Sequence, residues 1–196
     1  MKHYGLICAA LLLGGCVCGC SGPDRKPPQP EESVKVIVDG GGAFPPSLAG
    51  AWQADDHGWE IVLDDNGRIT SAVISLGRIR IKPGETTTVP LRMKGEGIFE
   101  PGQWLVQYTP AERNLVVEIL VEKFNMTMGG GTLRGSTRDL LMGPVSPNGQ
   151  TWQAQWFSYP EYFIDTDIHT NKKLEDDPNL NPKATLTFTK TTPQSD

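Results

Sequence analysis

The sequence predicts an all-β domain, an antiparallel meander closed as a barrel or, alternatively, folded as a sandwich. Three observations carry this expectation. Short runs rich in β-branched and aromatic residues alternate with polar ones. Turn signals such as Asn66-Gly67, Pro83-Gly84 and Pro101-Gly102 recur at strand-length intervals. No stretch combines helical apolar spacing with caps at both ends.

The 196-residue chain opens differently. Met1-Lys2-His3 forms a short basic start, and Tyr4 to Leu13 is an apolar run too short to span a bilayer. It closes on Leu13-Gly14-Gly15-Cys16. These four residues resemble the lipobox of bacterial lipoproteins. The resemblance implies that residues 1–15 are a signal peptide and that Cys16 becomes the acylated first residue of the mature chain. Cys20, after Val17-Cys18-Gly19, is the alternative attachment site. Several acyl chains, at about 0.8 kcal/mol per buried CH₂, would hold such a protein on a membrane. The family's sorting pattern, with Val17 rather than Asp after Cys16, implies the bacterial outer membrane, facing the periplasm.

Residues 16–47 read as a flexible Pro/Gly-rich tether, with Pro27, Pro28, Pro30, Pro45, Pro46 and Gly40-Gly41-Gly42. The roughly 27 residues from Ser21 to Ser47 reach about 30 Å. Within it, Val34-Lys35-Val36-Ile37-Val38 alternates and predicts an added edge strand.

The domain is expected over 48–192. Trp59 to Leu63 alternates and ends in Asp64-Asp65-Asn66-Gly67, a hairpin turn in which Asn-Gly accepts positive φ. Strands follow around Ile69 to Ile74, Ile79 to Ile81, Val89 to Met93, Ile98-Phe99 and Trp104 to Tyr108. Leu115 to Met128, between Asn114 and Gly129-Gly130-Gly131, is the clearest strand. Leu133 to Met142, Thr151 to Phe157 and Ala184 to Lys190 complete the set, the last alternating cleanly. Between them, residues 158–182 read as an irregular acidic segment containing Glu175-Asp176-Asp177.

Gly50-Ala51-Trp52 ahead of this meander is similar to the Gly-x-Trp opening of lipocalins and related calycin barrels. The chain has no counterpart of their Thr-Asp-Tyr turn or late arginine. The resemblance implies a calycin-like barrel with Trp52 plugging its closed end.

Composition narrows the function classes. The four cysteines are Cys8, Cys16, Cys18 and Cys20, so the domain has no thiol nucleophile, thiolate metal site or disulfide. Removing Lys2 with the leader leaves 17 basic against 23 acidic residues, about −6 net, which argues against nucleic acid as a partner. There is no Gly-x-Ser-x-Gly elbow, and Gly129 to Gly131 lacks the lysine of a phosphate-binding loop. Carboxylates meet histidine at Asp55-Asp56-His57 and at Asp165-x-Asp167-x-His169. Alternation would put Asp165, Asp167 and His169 on one face, where oxygens and an imidazole suit a divalent cation. The competing reading is a hydrated acidic loop.

Aromatic residues cluster in two regions, and Trp152, Ala154 and Trp156 share one strand face. The expected function is therefore non-catalytic binding, of a small apolar ligand or an envelope partner protein, through Trp104, Trp152 and Trp156. No cofactor is implied. The alternative is a metal-dependent or hydrolytic enzyme using Asp165, Asp167 and His169.

Overall fold

The computed structural model describes residues 33–91, 95–128, 130–166, 172–175 and 181–191, without the side chains of residues 128, 165, 166 and 172–175. The described chain is all-β: apart from one 3-10 turn at Pro46–Leu48, every regular element is a strand.

The first strands follow the local signals. β1 (Val34–Val38) is the strand expected at the edge, and it pairs in parallel with β8 (Trp104–Thr109). β2 (Gly50–Ala54) and β3 (Glu60–Leu63) form a hairpin, and β3 passes to β4 (Ile69–Ile74) through the Asn66-Gly67 turn. There the Asp64 Oδ1 accepts hydrogen bonds from the backbone N–H of Asn66 (2.9 Å) and Arg68 (2.8 Å). Gly67 sits at φ 78°, which costs an L side chain strain. Its missing Cβ also leaves room for the Phe44 ring. β5 (Ile79–Ile81) completes this limb.

Longer strands build the other limb. β6 (Thr87–Leu91) and β7 (Gly95–Pro101) form a hairpin beside the far half of β9 (Asn114–Met128), whose near half pairs with β8. β10 (Gly131–Pro144) lies along β9, and β11 (Thr151–Thr166) along β10. β11 carries β13 (Ala184–Thr191) against its first half and the short β12 (Lys172–Glu175) against its second. β13 then pairs with β2, so the order runs β1-β8-β9-β10-β11-β13-β2-β3-β4-β5. All thirteen strands belong to one sheet, and no ladder joins β1 to β5. This open, mixed sheet is compatible with a barrel-like or a sandwich-like arrangement. Its ends nevertheless approach each other: the Ser33 side chain stands against Gly84, just past β5.

The inner faces share a single apolar core, with Trp52, Trp59, Trp104, Trp152, Phe99, Phe124 and Phe188 at most 2% exposed. Trp52 donates from Nε1 to the Leu48 carbonyl (2.9 Å) and meets Trp152 edge-on, so its amphipathic ring is satisfied at both ends. β9 changes its inward parity midway. Leu115, Val117, Ile119 and Val121 are buried, then Phe124 and Met126, while Glu122 and Lys123 are both exposed. Register shifts against both β7 and β10 mark a bulge at that point, and the extra residue returns apolar side chains to the core.

Two expectations change. Residues 33–47 are not free tether: they supply β1, and Val34 within it and Phe44 beyond it belong to the core, because apolar side chains so close to the sheet gain by burial. Residues 158–166 and 172–175 are strand rather than irregular acidic chain. Pro160 disguised this continuation. It lies between the stretch of β11 paired with β13, ending at Trp156, and the stretch paired with β12, starting at Glu161. A residue without an N–H is tolerated at such a break in the outer ladder.

Candidate functional site

Even-numbered residues of β11 point inward from Trp152 to Ile164, so the face anticipated at Trp152, Ala154 and Trp156 continues through Ser158, Pro160, Tyr162 and Ile164. This continuation forms one wall of a half-open cavity of about 530 Å³. β9 contributes Phe124, and β10 contributes Leu133, Thr137 and Asp139. The β4–β5 turn reaches across from the other limb with Ser75, Leu76 and Gly77. The volume falls in the range of small-molecule sites. The wall is chiefly apolar and aromatic with a few polar groups, the usual makeup of such sites, and the most buried of these groups gather at one spot on β10.

That polar spot is Asp139. It is 5% exposed, on the inward face of β10 between Thr137 and Leu141. Its Oδ1 accepts from Trp156 Nε1 at 2.9 Å and its Oδ2 from Thr137 Oγ1 at 3.2 Å, and the Ser158 hydroxyl also bonds to it. Burial pushes the carboxyl above its ordinary range, opposed by the bonds from Ser158, Trp156 and Thr137. None of the described ion pairs includes Asp139.

Around this group the packing is aromatic. Trp59 meets Trp156 edge-on at 5.8 Å, and the His57 ring lies 5.1 Å from Trp156. Trp59 Nε1 is buried without a hydrogen-bond partner among the described groups. His57 sits at φ 57° in the β2–β3 turn, 3.8 Å from the Asp56 carboxylate. Asp55 holds that turn to β13, accepting from the Thr187 N–H at 3.0 Å and donating its own N–H to the Thr187 carbonyl. Asp55-Asp56-His57 is thus a turn that docks on β13 and brings an imidazole to the cavity's tryptophan.

The three tryptophans expected to act together are separated by the fold. Trp156 lines the cavity. Trp104 is wholly buried under β9 with Nε1 on the Leu120 carbonyl (3.0 Å). Trp152 stacks on Phe188 at 4.7 Å with Nε1 on the Gly143 carbonyl (3.1 Å). Neither is among the cavity's lining residues. In sequence all three look alike; only the packing above each strand distinguishes wall from core. Asp165 pairs with Thr132 in the β10–β11 ladder, whereas Asp167 and His169 lie outside the described residues, as do Cys16 and Cys20. Among the described residues, no three His, Cys, Asp or Glu side chains gather to hold a metal ion.

Asp139 was not among the expected site residues: the stretch Leu133 to Met142 was expected only as a strand. A signal existed in parity: Thr137 and Asp139 share the face of Leu141, and a polar pair on the apolar face of a strand marks a buried polar spot. Arg138 points the other way and forms a two-bond pair with Glu118 on β9 (2.8 and 2.9 Å).

Comparison with known proteins finds no family model, curated protein or solved structure that matches this chain.

Proposed function

We propose that this chain is a lipid-anchored protein of the bacterial envelope whose β domain binds a small, largely apolar ligand without chemical conversion, in the manner of a calycin-like container. The observation that carries the binding reading is the cavity between β9–β11 and the β4–β5 turn, with its aromatic wall and a single buried polar cluster at Asp139. Contact with the ligand falls to Trp156, with Phe124 and Tyr162 beside it. Trp104 and Trp152 support the sheet beneath. The anchor rests on Leu13-Gly14-Gly15-Cys16, which resembles a lipobox.

Native mass spectrometry of the full-length protein, extracted gently from its own envelope, tests the binding reading. A discrete added mass released by denaturation, and lost in Trp156→Ala, is the expected result. A bare mass for the wild type, together with no uptake of an apolar fluorescent dye, would overturn it. For the anchor, palmitate labelling should vanish in Cys16→Ser and the protein should leave the membrane fraction. Label that persists there and disappears in Cys20→Ser moves the attachment to Cys20.

A further inference from the structure

The cavity's polar cluster points to the chemistry of the ligand's end group. We infer that the cavity takes a molecule with an apolar body ending in a protonated amine, the ammonium seated against the Asp139 carboxylate. This inference rests on the binding reading above and adds a headgroup to it.

Three features of the wall support an ammonium over other ends. The first is hydrogen-bond capacity. An ionised carboxylate offers about four acceptor directions. Trp156, Thr137 and Ser158 engage three of them. These donors are already turned to Asp139, so what the cluster can still offer a ligand is an acceptor, and a matching headgroup must donate.

The second is charge. Asp139 is nearly inaccessible, and no described ion pair offsets its charge. A carboxyl buried without a cation is driven towards its protonated form, the direction in which burial pushes Asp139, and a cation beside it favours the ionised form instead. A ligand cation would supply the pairing, whereas a fatty-acid carboxylate would set two like charges together. A neutral alcohol could donate one bond but leave the charge uncompensated.

The third is the surrounding surface. Phe124, Trp156 and Tyr162 line the same cavity, and aromatic faces attract ammonium groups while accommodating alkyl chains. The apolar remainder of the wall, including Leu76, Leu133 and Ile164, suits a hydrocarbon body.

The test compares three ligands of equal chain length, decylamine, 1-decanol and decanoate, titrated calorimetrically into the full-length protein at neutral pH. Decylamine should bind with one-to-one stoichiometry about tenfold more tightly than decanol, and decanoate should bind weakest. Asp139→Asn should remove the preference for the amine, bringing the ratio of amine to alcohol affinity down to about one. Equal affinity for amine and alcohol, or tighter binding of decanoate, overturns the headgroup inference and leaves an apolar binding site standing. Failure of all three ligands to bind overturns the cavity reading itself. The wild-type ratio of amine to alcohol decides the headgroup even if the Asp139 variant does not fold. Amine binding that survives unchanged in Trp156→Ala places the amine elsewhere on this acidic protein and also refutes the inference.

Discussion

Asp139 makes the domain's stability depend on pH in a definite direction. Burial raises its carboxyl above the unfolded value, so between the two values the folded chain holds a proton that the unfolded chain has released. Stability therefore falls as pH rises through the folded value; below the unfolded value the cost is absent, and above the folded value it persists in full. Asp139→Asn removes this contribution while keeping the shape. Its carbonyl oxygen can still accept from Trp156 Nε1, and its amide can donate to the Thr137 and Ser158 hydroxyls, which rotate to accept. The variant should be at least as stable as wild type at neutral pH, with an advantage that shrinks as the solution becomes acidic. Asp139→Leu also removes the charge but leaves the Trp156 N–H facing no acceptor. A buried donor without a partner costs about 1–3 kcal/mol, so the Leu variant should be less stable than the Asn variant by that amount. Urea unfolding of the three ligand-free proteins at acidic and neutral pH, with the m-value checked for constancy, measures both differences. The reasoning fails if the gap between wild type and Asp139→Asn is the same at both pH values, or if Leu and Asn are equivalent.

Other substitutions test the packing. A Cβ at Gly143 would lie 1.9 Å from the Gln153 carbonyl oxygen, in backbone that cannot give way cheaply. Gly143→Ala should therefore lower stability by about 1–3 kcal/mol or more in the same urea assay. Trp152→Ala removes a buried ring, its stack on Phe188 and its bond to Gly143, and should cost about 3–5 kcal/mol without changing ligand preference. A chain begun at residue 48 loses β1 together with Val34 and Phe44, two buried side chains contributing about 1.5–3 kcal/mol each. It should show a markedly lower urea midpoint than the full-length protein, and an unchanged midpoint would mean these residues add nothing to the core. Arg138→Ala breaks a pair on the outer face and should change stability by no more than about 1 kcal/mol, with binding unaffected.

The elements that local chemistry controls were readable without a structure. Asn66-Gly67 sets its turn because Gly67 reaches positive φ and Asp64 caps the loop. The runs at 115–128 and 184–190 declare strands by β-branched content and alternation. The Val34–Val38 strand was visible in the same way, but its parallel partner β8 was not, since alternation states that a strand has two faces and not which neighbour it takes. Residues 158–166 were hidden by Pro160, whose local meaning is a break and whose tertiary setting is a gap between β12 and β13.

The candidate site divides along the same line. By itself the sequence determined the all-β class and the shared face of Trp152, Ala154 and Trp156, since both follow from a two-residue period along a single strand. Only the tertiary structure decided that Trp156 is cavity wall while Trp104 and Trp152 are core, because that depends on what lies over each ring. It also decided that Asp139 is a buried carboxylate. That state arises from donors on β10 and β11 and from the β4–β5 turn near one another in space, residues far apart along the chain whose approach no local pattern records.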